Sequence, residues 1–178
     1  KTYTVDSILT SGNVKHETIR GTLSAVNLYK LGYAYRAPGN IIVLDDADGI
    51  FNDEDALNIL KVLCDSSSER RVSWLKESLA LKEDDVPTSY VFHGGMIFIS
   101  NLDFQRFVDE GKNKYSQHFA ALMSRSLYLD LKIHERRELA LWVEHVAEKG
   151  KIFEREGVPT TVRPQMFKFM KDNLDNLR

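Results

Sequence analysis

Two apolar runs of the chain end in side chains of the kinds that hold magnesium and activate water. Ile41–Leu44 is followed by Asp45 and Asp46, and Met96–Ser100 is followed by Asn101. A carboxylate at the end of a buried strand can hold Mg²⁺ directly or through water, and its neighbour can position an attacking water. We therefore predict that Asp45 helps to hold a metal and that Asp46 polarises water.

The first two residues add groups that phosphoryl transfer needs beside those acids. Lys1 could contact the β- and γ-phosphates of a nucleotide and Thr2 could ligate Mg²⁺, provided that a glycine-rich loop precedes them. No such glycines stand before Lys1, and the chain begins without methionine, so we expect it to be part of a longer protein. The 44-residue spacing from Lys1 to Asp45 favours a remnant of a phosphate-binding loop.

Alternating strands and helices are predicted to position these residues. Because the first ~130 residues alternate and the remainder is helical, we expect a parallel α/β sheet whose ligands lie at the carboxyl ends of its strands. Asn52 is the expected N-cap of the third helix, and residues 72–89 are expected to form a loop or hairpin. The predicted strands cover 13–19, 41–44, 96–100 and 126–133, and the predicted helices cover 2–9, 22–35, 53–64, 104–110, 117–124, 135–149 and 164–177.

Charge and composition exclude several classes of protein. Twenty-four basic against 26 acidic residues give a net charge of −2, so nucleic acid could be held only locally. Arg70, Arg71 and Trp74 form the one local basic and aromatic group, and they could contact a substrate or nucleic acid. A solvated loop around a packed Trp is the equal alternative. A single cysteine, Cys64, favours a reducing cytoplasm. Apolar runs fall far short of the ~20 residues that span a bilayer, so we expect no membrane association.

Taken together, these segments resemble those of an AAA+ ATPase whose chain begins inside its Walker A motif. The resemblance covers essentially the whole chain, and residues 21–74 are similar to AAA-type ATPases that are common in tailed-phage genomes. The matching segments are "KT" at the start, "IIVLDDAD" for Walker B, "MIFISN" for sensor 1, "ALMSR" for the arginine-finger segment and "TVRPQMF" for the start of the sensor 2 helix.

The resemblance assigns a role to each member of the predicted nucleotide site. Lys1 would contact the β- and γ-phosphates of ATP, while Thr2 and Asp45 would hold Mg²⁺. Asp46 would polarise the attacking water and Asn101 would orient it. Asp46 stands where most relatives carry glutamate, one methylene longer.

Two arginines would complete the site from elsewhere. Arg125 would act as an arginine finger in the nucleotide site of a neighbouring subunit, which implies a homo-oligomeric ring, expected to be a hexamer. Arg163 would contact the nucleotide of its own subunit. A finger of this kind contributes on the order of 10³-fold or more in rate because it neutralises charge on the γ-phosphoryl oxygens.

The implied fold is a P-loop NTPase core over residues 1–132 followed by a small helical lid over residues 133–178. The implied activity is Mg²⁺-dependent ATP hydrolysis that remodels a protein or nucleoprotein partner, with phage DNA metabolism in the host cytoplasm as its setting. The alternative is a nucleotide-gated loader, adaptor or scaffold with little ATP turnover.

Overall fold

The computed structural model describes residues 2–112, 114–130 and 135–176. Over these ranges the chain forms five strands and nine α-helices. The strands are β1 (His16–Arg20), β2 (Ile41–Asp45), β3 (Arg70–Ser73), β4 (Ser89–Phe92) and β5 (Gly95–Ile99). The helices are α1 (Thr2–Ser11), α2 (Ala25–Ala34), α3 (Glu54–Leu63), α4 (Leu79–Glu83), α5 (Phe104–Glu110), α6 (Ser116–Met123), α7 (Arg136–Lys149), α8 (Ile152–Arg155) and α9 (Arg163–Asp172).

The chain divides into two compact units, Lys1–Tyr128 and Leu129–Arg178, which we call the sheet unit and the helical unit. From the sequence, a division was expected after residue 132. No helix of the described ranges is both long and apolar enough to cross a membrane.

A three-stranded parallel sheet, in the order β1-β2-β5, forms the centre of the sheet unit. Its middle strand carries three successive apolar residues, Ile42, Val43 and Leu44, that are at most 2% exposed. Successive residues of a strand point to opposite faces, so both faces of β2 are covered. The predicted buried parallel strand is confirmed, and the fold is mixed α/β.

Helix α3 begins one residue later than its sequence suggested. Asp53, rather than Asn52, is the N-cap, because its Oδ1 accepts hydrogen bonds from the amides of Asp55 (2.9 Å) and Ala56 (3.2 Å). Asn52 ends a short 3₁₀-helix that starts at Asp48.

The structure tests two further sequence-based predictions. Of the loop or hairpin expected over residues 72–89, the hairpin is the alternative that forms, because β3 and β4 pair antiparallel with α4 between them. The strand predicted over residues 126–133 is wrong for its described part, since residues 126–130 form no strand and Leu131–Ile133 lie outside the described residues.

Two buried tyrosines fasten this antiparallel ribbon to α2. The Tyr90 hydroxyl donates to the carbonyl of Tyr29 (2.8 Å), and the Tyr29 hydroxyl donates to the carbonyl of Pro87 (2.8 Å). Burial raises the pKa of Tyr29 to about 12 and raises that of Tyr90 as well. A Cβ at Gly32 would lie 2.3 Å from the Tyr90 oxygen, so only glycine admits this contact.

The helical unit has a small interior. Ala140, Ala147 and Phe153 are its buried apolar residues over the described range, and the ring of Phe153 packs edge-on against Phe167 with centroids 5.3 Å apart. Helix α8, which holds Phe153, was not anticipated from the sequence because four residues are too few for a periodic pattern.

Candidate functional site

The carboxyl ends of all three parallel strands lie at one edge of the sheet. In the strand register, Arg20 is opposite Asp45, and Asp45 is opposite Ile99. Parallel strands place their ends together in this way, and such an edge is the usual ligand-binding position of an open α/β sheet. The polar residues that follow β2 and β5 therefore share one site.

Asp45 lies at the centre of this edge and is 3% exposed. Its Oδ1 accepts a hydrogen bond from the hydroxyl of Thr2 (2.9 Å), and its Oδ2 accepts one from Nε of Arg20 (2.9 Å). Thr2 is the first residue of α1, so this contact joins the start of a helix to the end of a strand 43 residues later. A buried carboxylate of this kind needs both partners, because an unpaired charge in the interior is strongly unfavourable.

Asp46 turns the chain out of the sheet in a backbone conformation that few residues adopt. Its φ is +52°, and its amide donates to the carbonyl of Ile99 (2.9 Å). Aspartate tolerates the left-handed region better than most residues, yet the conformation still costs energy and is concentrated at functional sites. The exposed side chain accepts a hydrogen bond at Oδ1 from the Asn101 amide (3.2 Å).

A second pair of side chains holds the two loops at this edge together. The Ser100 hydroxyl donates to Oδ1 of Asp48 (2.6 Å) and accepts a hydrogen bond from the amide of Leu102 (2.9 Å). Asp48 begins the 3₁₀-helix after β2. This hydrogen bond joins the loop after β2, which begins with Asp46, to the loop after β5, which contains Asn101.

The residues at this edge suit a magnesium ion that arrives with phosphate. Within the described ranges no group of three or more His, Cys, Asp or Glu side chains could enclose a metal. Mg²⁺, however, commonly takes only one or two ligands from the protein and completes its octahedral coordination with phosphate and water oxygens. One buried carboxylate and one hydroxyl are such a set of protein ligands. Thr2 and Asp45 would hold the ion, and Lys1 lies outside the described residues.

Thus four predicted site residues, Thr2, Asp45, Asp46 and Asn101, are brought together. Arg20 is a fifth member that sequence reasoning missed. Its position at the end of the strand preceding β2 could have indicated it, because all carboxyl ends of a parallel sheet meet at one edge.

Arg125 lies elsewhere in the sheet unit, after the end of α6. Its Nε donates to Oδ2 of Asp65 (3.2 Å) and its Nη1 to the carbonyl of Ala121 (2.8 Å). The pKa of Asp65 is lowered to about 2, first by hydrogen bonds from Ser67 and then by Arg125. Its role as a finger toward a neighbouring subunit stays a prediction.

Arg163 is bonded within the helical unit. Its Nη1 donates to Oε1 of Glu154 (2.6 Å), and its Nε and Nη2 donate to the carbonyl of Val158 (3.2 and 3.1 Å). The hydrogen bond from Arg163 lowers the pKa of Glu154. These contacts close the turn between α8 and α9, and its contact with nucleotide stays a prediction.

The basic and aromatic group of β3 is largely engaged with the protein itself. Arg70 donates from Nη1 to the carbonyl of Leu63 (2.7 Å) and from Nη2 to that of Gly94 (2.8 Å). Trp74 is 9% exposed. Arg71 is the exposed member of the group, so a nucleic-acid surface built from all three is not supported.

Cys64 is a poor nucleophile. Burial raises the pKa of its thiol to about 12, outweighing the nearby cations Arg70 and Arg125.

No family model matches the chain, and no solved structure does. The chain is 33% identical over 182 residues to a protein of Enterobacteria phage T4 described as "Uncharacterized 36.7 kDa protein in nrdC-mobD intergenic region". The similarity covers the whole of this chain and 55% of the relative, so the chain spans about half the length of the relative it matches. The chain is therefore similar to part of a phage protein.

Proposed function

We propose that this chain is most of an AAA+ P-loop NTPase module, which binds ATP with Mg²⁺ and hydrolyses it to remodel a protein or nucleoprotein partner. The phosphate-binding glycines would precede Lys1, and residues 133–178 would act as the lid. The similarity to a phage T4 protein is in keeping with a phage setting.

One contact carries the proposal. The Thr2 hydroxyl at the start of a helix lies 2.9 Å from the buried carboxylate that ends a parallel strand. A helix N-terminus attracts phosphate through its free amides and dipole, and the hydroxyl and carboxylate offer the oxygens that Mg²⁺ requires. Asp46 and Asn101 lie beside this pair, so a water near the phosphate would meet an acceptor and an amide.

The chain's own residues would then divide the work. Bound Mg²⁺ would supply charge neutralisation at the phosphates. Asp46 would accept a hydrogen bond from the attacking water, and Asn101, already bonded to Asp46, would hold that carboxylate and orient the water. Arg125 would leave Asp65 to reach the site of a neighbouring subunit in a ring.

The first test measures ATP turnover by the intact protein and by Asp46→Asn. We expect a loss of roughly 10²-fold or more in kcat, because general-base assistance is removed, while Mg²⁺-dependent nucleotide binding is retained. Asp109→Asn is the matched control, since that exposed carboxylate on α5 accepts from Gln105 and should leave turnover unchanged. Turnover that survives Asp46→Asn would contradict the assigned role.

A second test addresses the ring. Arg125→Ala subunits mixed with Asp46→Asn subunits should recover part of the lost turnover, because each kind supplies the group that the other lacks. If the ATP turnover of the mixture only equals the sum of the turnovers of the two variants measured separately, the result would count against a finger in trans.

A nucleotide-gated loader is the second candidate, and the shortness of Asp46 favours it. Aspartate reaches one methylene less far than glutamate, and its Oδ1 is already occupied by Asn101. Nucleotide-dependent assembly with negligible turnover in the intact protein would select this candidate over the motor.

A further inference from the structure

Asp45 carries a positive partner that the proposed nucleotide site does not use. The Nε of Arg20 donates to Asp45 Oδ2 at 2.9 Å, at the carboxyl end of the neighbouring strand. The side chain of Asp45 is 4% exposed, whereas that of Arg20 is 62% exposed. The carboxylate is therefore held in the protein, while the guanidinium already faces water and can move into it once another cation takes its place.

The two partners of Asp45 differ in what they can do beside a metal ion. A hydroxyl has one donor and two acceptor lone pairs, so Thr2 can keep its hydrogen bond to Oδ1 and still offer oxygen to Mg²⁺. A guanidinium has donors only and is always charged, so Arg20 can only compete with a cation for Oδ2.

We propose that Arg20 is a place-holder cation, meaning that its guanidinium neutralises Asp45 while no metal is bound and is displaced when Mg²⁺ enters with the nucleotide. This rests on the proposed function, because it takes Asp45 as a metal ligand. It deepens that function by adding a step of charge exchange to nucleotide binding. Without Arg20, the buried carboxylate of the metal-free site would keep the hydrogen bond from Thr2 but have no positive charge beside it.

If Arg20 is a place-holder, the Mg²⁺ concentration needed for nucleotide binding depends on this residue. Mg²⁺ must break a charge-assisted hydrogen bond before it occupies Oδ2, which weakens its apparent affinity. Removing the charge with Arg20→Gln should lower the Mg²⁺ concentration for half-maximal nucleotide binding by about three- to tenfold. Arg20→Lys keeps the charge and should leave that concentration within about twofold of the unmodified protein.

The experiment uses the intact protein and the fluorescent nucleotide mant-ADP, titrated with Mg²⁺ at fixed protein concentration. Arg71→Gln is the matched control, because it removes an exposed arginine of β3 that pairs with Glu69, outside the site. A thermal melt of each variant in EDTA, with and without added Mg²⁺ and ADP, provides a readout that does not depend on the probe. In EDTA, Arg20→Gln should have a lower melting temperature than the unmodified protein. Added Mg²⁺ and ADP should raise the melting temperature of Arg20→Gln by more than that of the unmodified protein.

The outcomes separate the two proposals. If the unmodified protein binds mant-ADP with Mg²⁺ but Arg20→Gln needs the same or a higher Mg²⁺ concentration, the place-holder is overturned and the nucleotide site stands. A loss of nucleotide affinity in EDTA with Arg20→Gln would also overturn it, because it would assign Arg20 to the phosphates. If the unmodified protein shows no Mg²⁺-dependent binding, the proposed function fails and the place-holder fails with it.

Discussion

The sheet unit and the helical unit bury their apolar side chains to very different extents. The sheet unit has one continuous core that includes residues with no exposed surface, such as Leu28, Leu60 and Phe92. The helical unit buries three apolar residues over its described range and leaves seven large apolar side chains exposed. Those seven are Leu129, Leu141, Trp142, Val143, Val162, Met166 and Phe169.

This difference indicates which of the two units can hold the side chains of a site in fixed positions. Burial of apolar surface is the main stabilising term in folding, whereas exposed ion pairs contribute little. Residues of the candidate site lie on the strands, the loops and the first helix of the well-packed unit, where Asp45 and Asp46 are held in place. The helical unit adds exposed pairs such as Arg136 with Asp175 (3.1 Å) to a small apolar interior, so we expect it to unfold first.

The largest effect is expected at the centre of the sheet unit. Phe92→Ala removes a ring with no exposed surface and should lower the free energy of unfolding by about 3–5 kcal/mol. Urea denaturation followed by circular dichroism measures this change. A loss below about 1 kcal/mol would show that the core is looser than its packing indicates.

A steric test in the same unit comes next. Gly32→Ala forces a Cβ against the Tyr90 hydroxyl, 2.3 Å away, and should cost about 2–4 kcal/mol through overpacking and a lost hydrogen bond. Gly49→Ala is the matched control, because a Cβ there meets no atom within 4 Å. Equal stability of the two variants in urea would contradict the close contact.

A smaller and more local effect is expected in the helical unit. Phe153→Ala should destabilise that unit by about 2 kcal/mol, less than a large core would lose, because a small interior can collapse around the gap. Hydrogen exchange should then quicken in α7 and α9 while β2 keeps its protection. Faster exchange in β2 would mean that the two units unfold together.

The smallest effect concerns a single carboxyl group on the surface of the sheet unit. Because Asp65 has a pKa of about 2 in the folded protein against 3.8 ordinarily, its stabilising contribution is present above pH 3.8 and is lost as pH falls toward 2. Arg125→Gln should raise this pKa part of the way to 3.8, since the hydrogen bonds from Ser67 remain. An NMR titration of the Asp65 carboxyl carbon measures the shift, and an unchanged pKa would contradict the contact with Arg125.

The regular elements were predicted best where apolar residues repeat over several turns or fill a whole strand. Helix α5 has the bounds that were expected, and β2 extends one residue past its prediction to include Asp45. The ribbon of β3 and β4 was predicted only as a loop or hairpin without strand bounds, because its residues mix charge with apolar side chains. Its pairing joins residues about twenty positions apart, which no local pattern reveals.

The arginines show the same limit at the site. Arg70, Arg125 and Arg163 are each bonded to the protein's own carbonyls or carboxylates, which the sequence did not indicate. The nucleotide-site roles of Arg125 and Arg163 stay predictions. A long flexible side chain can reach partners in many directions, so its sequence position does not determine which one it meets.

By itself the sequence determined that Asp45, Asp46 and Asn101 lie at the ends of two apolar strands, of which β2 is buried and β5 is half-buried, and parallel strands must bring such ends to one edge. That conclusion follows from periodicity and chain direction alone. Only the tertiary structure decided that Thr2 and Arg20 share the carboxylate of Asp45, because these contacts cross 43 and 25 residues of chain. Contacts of that range depend on how helices and strands pack, which local patterns do not specify.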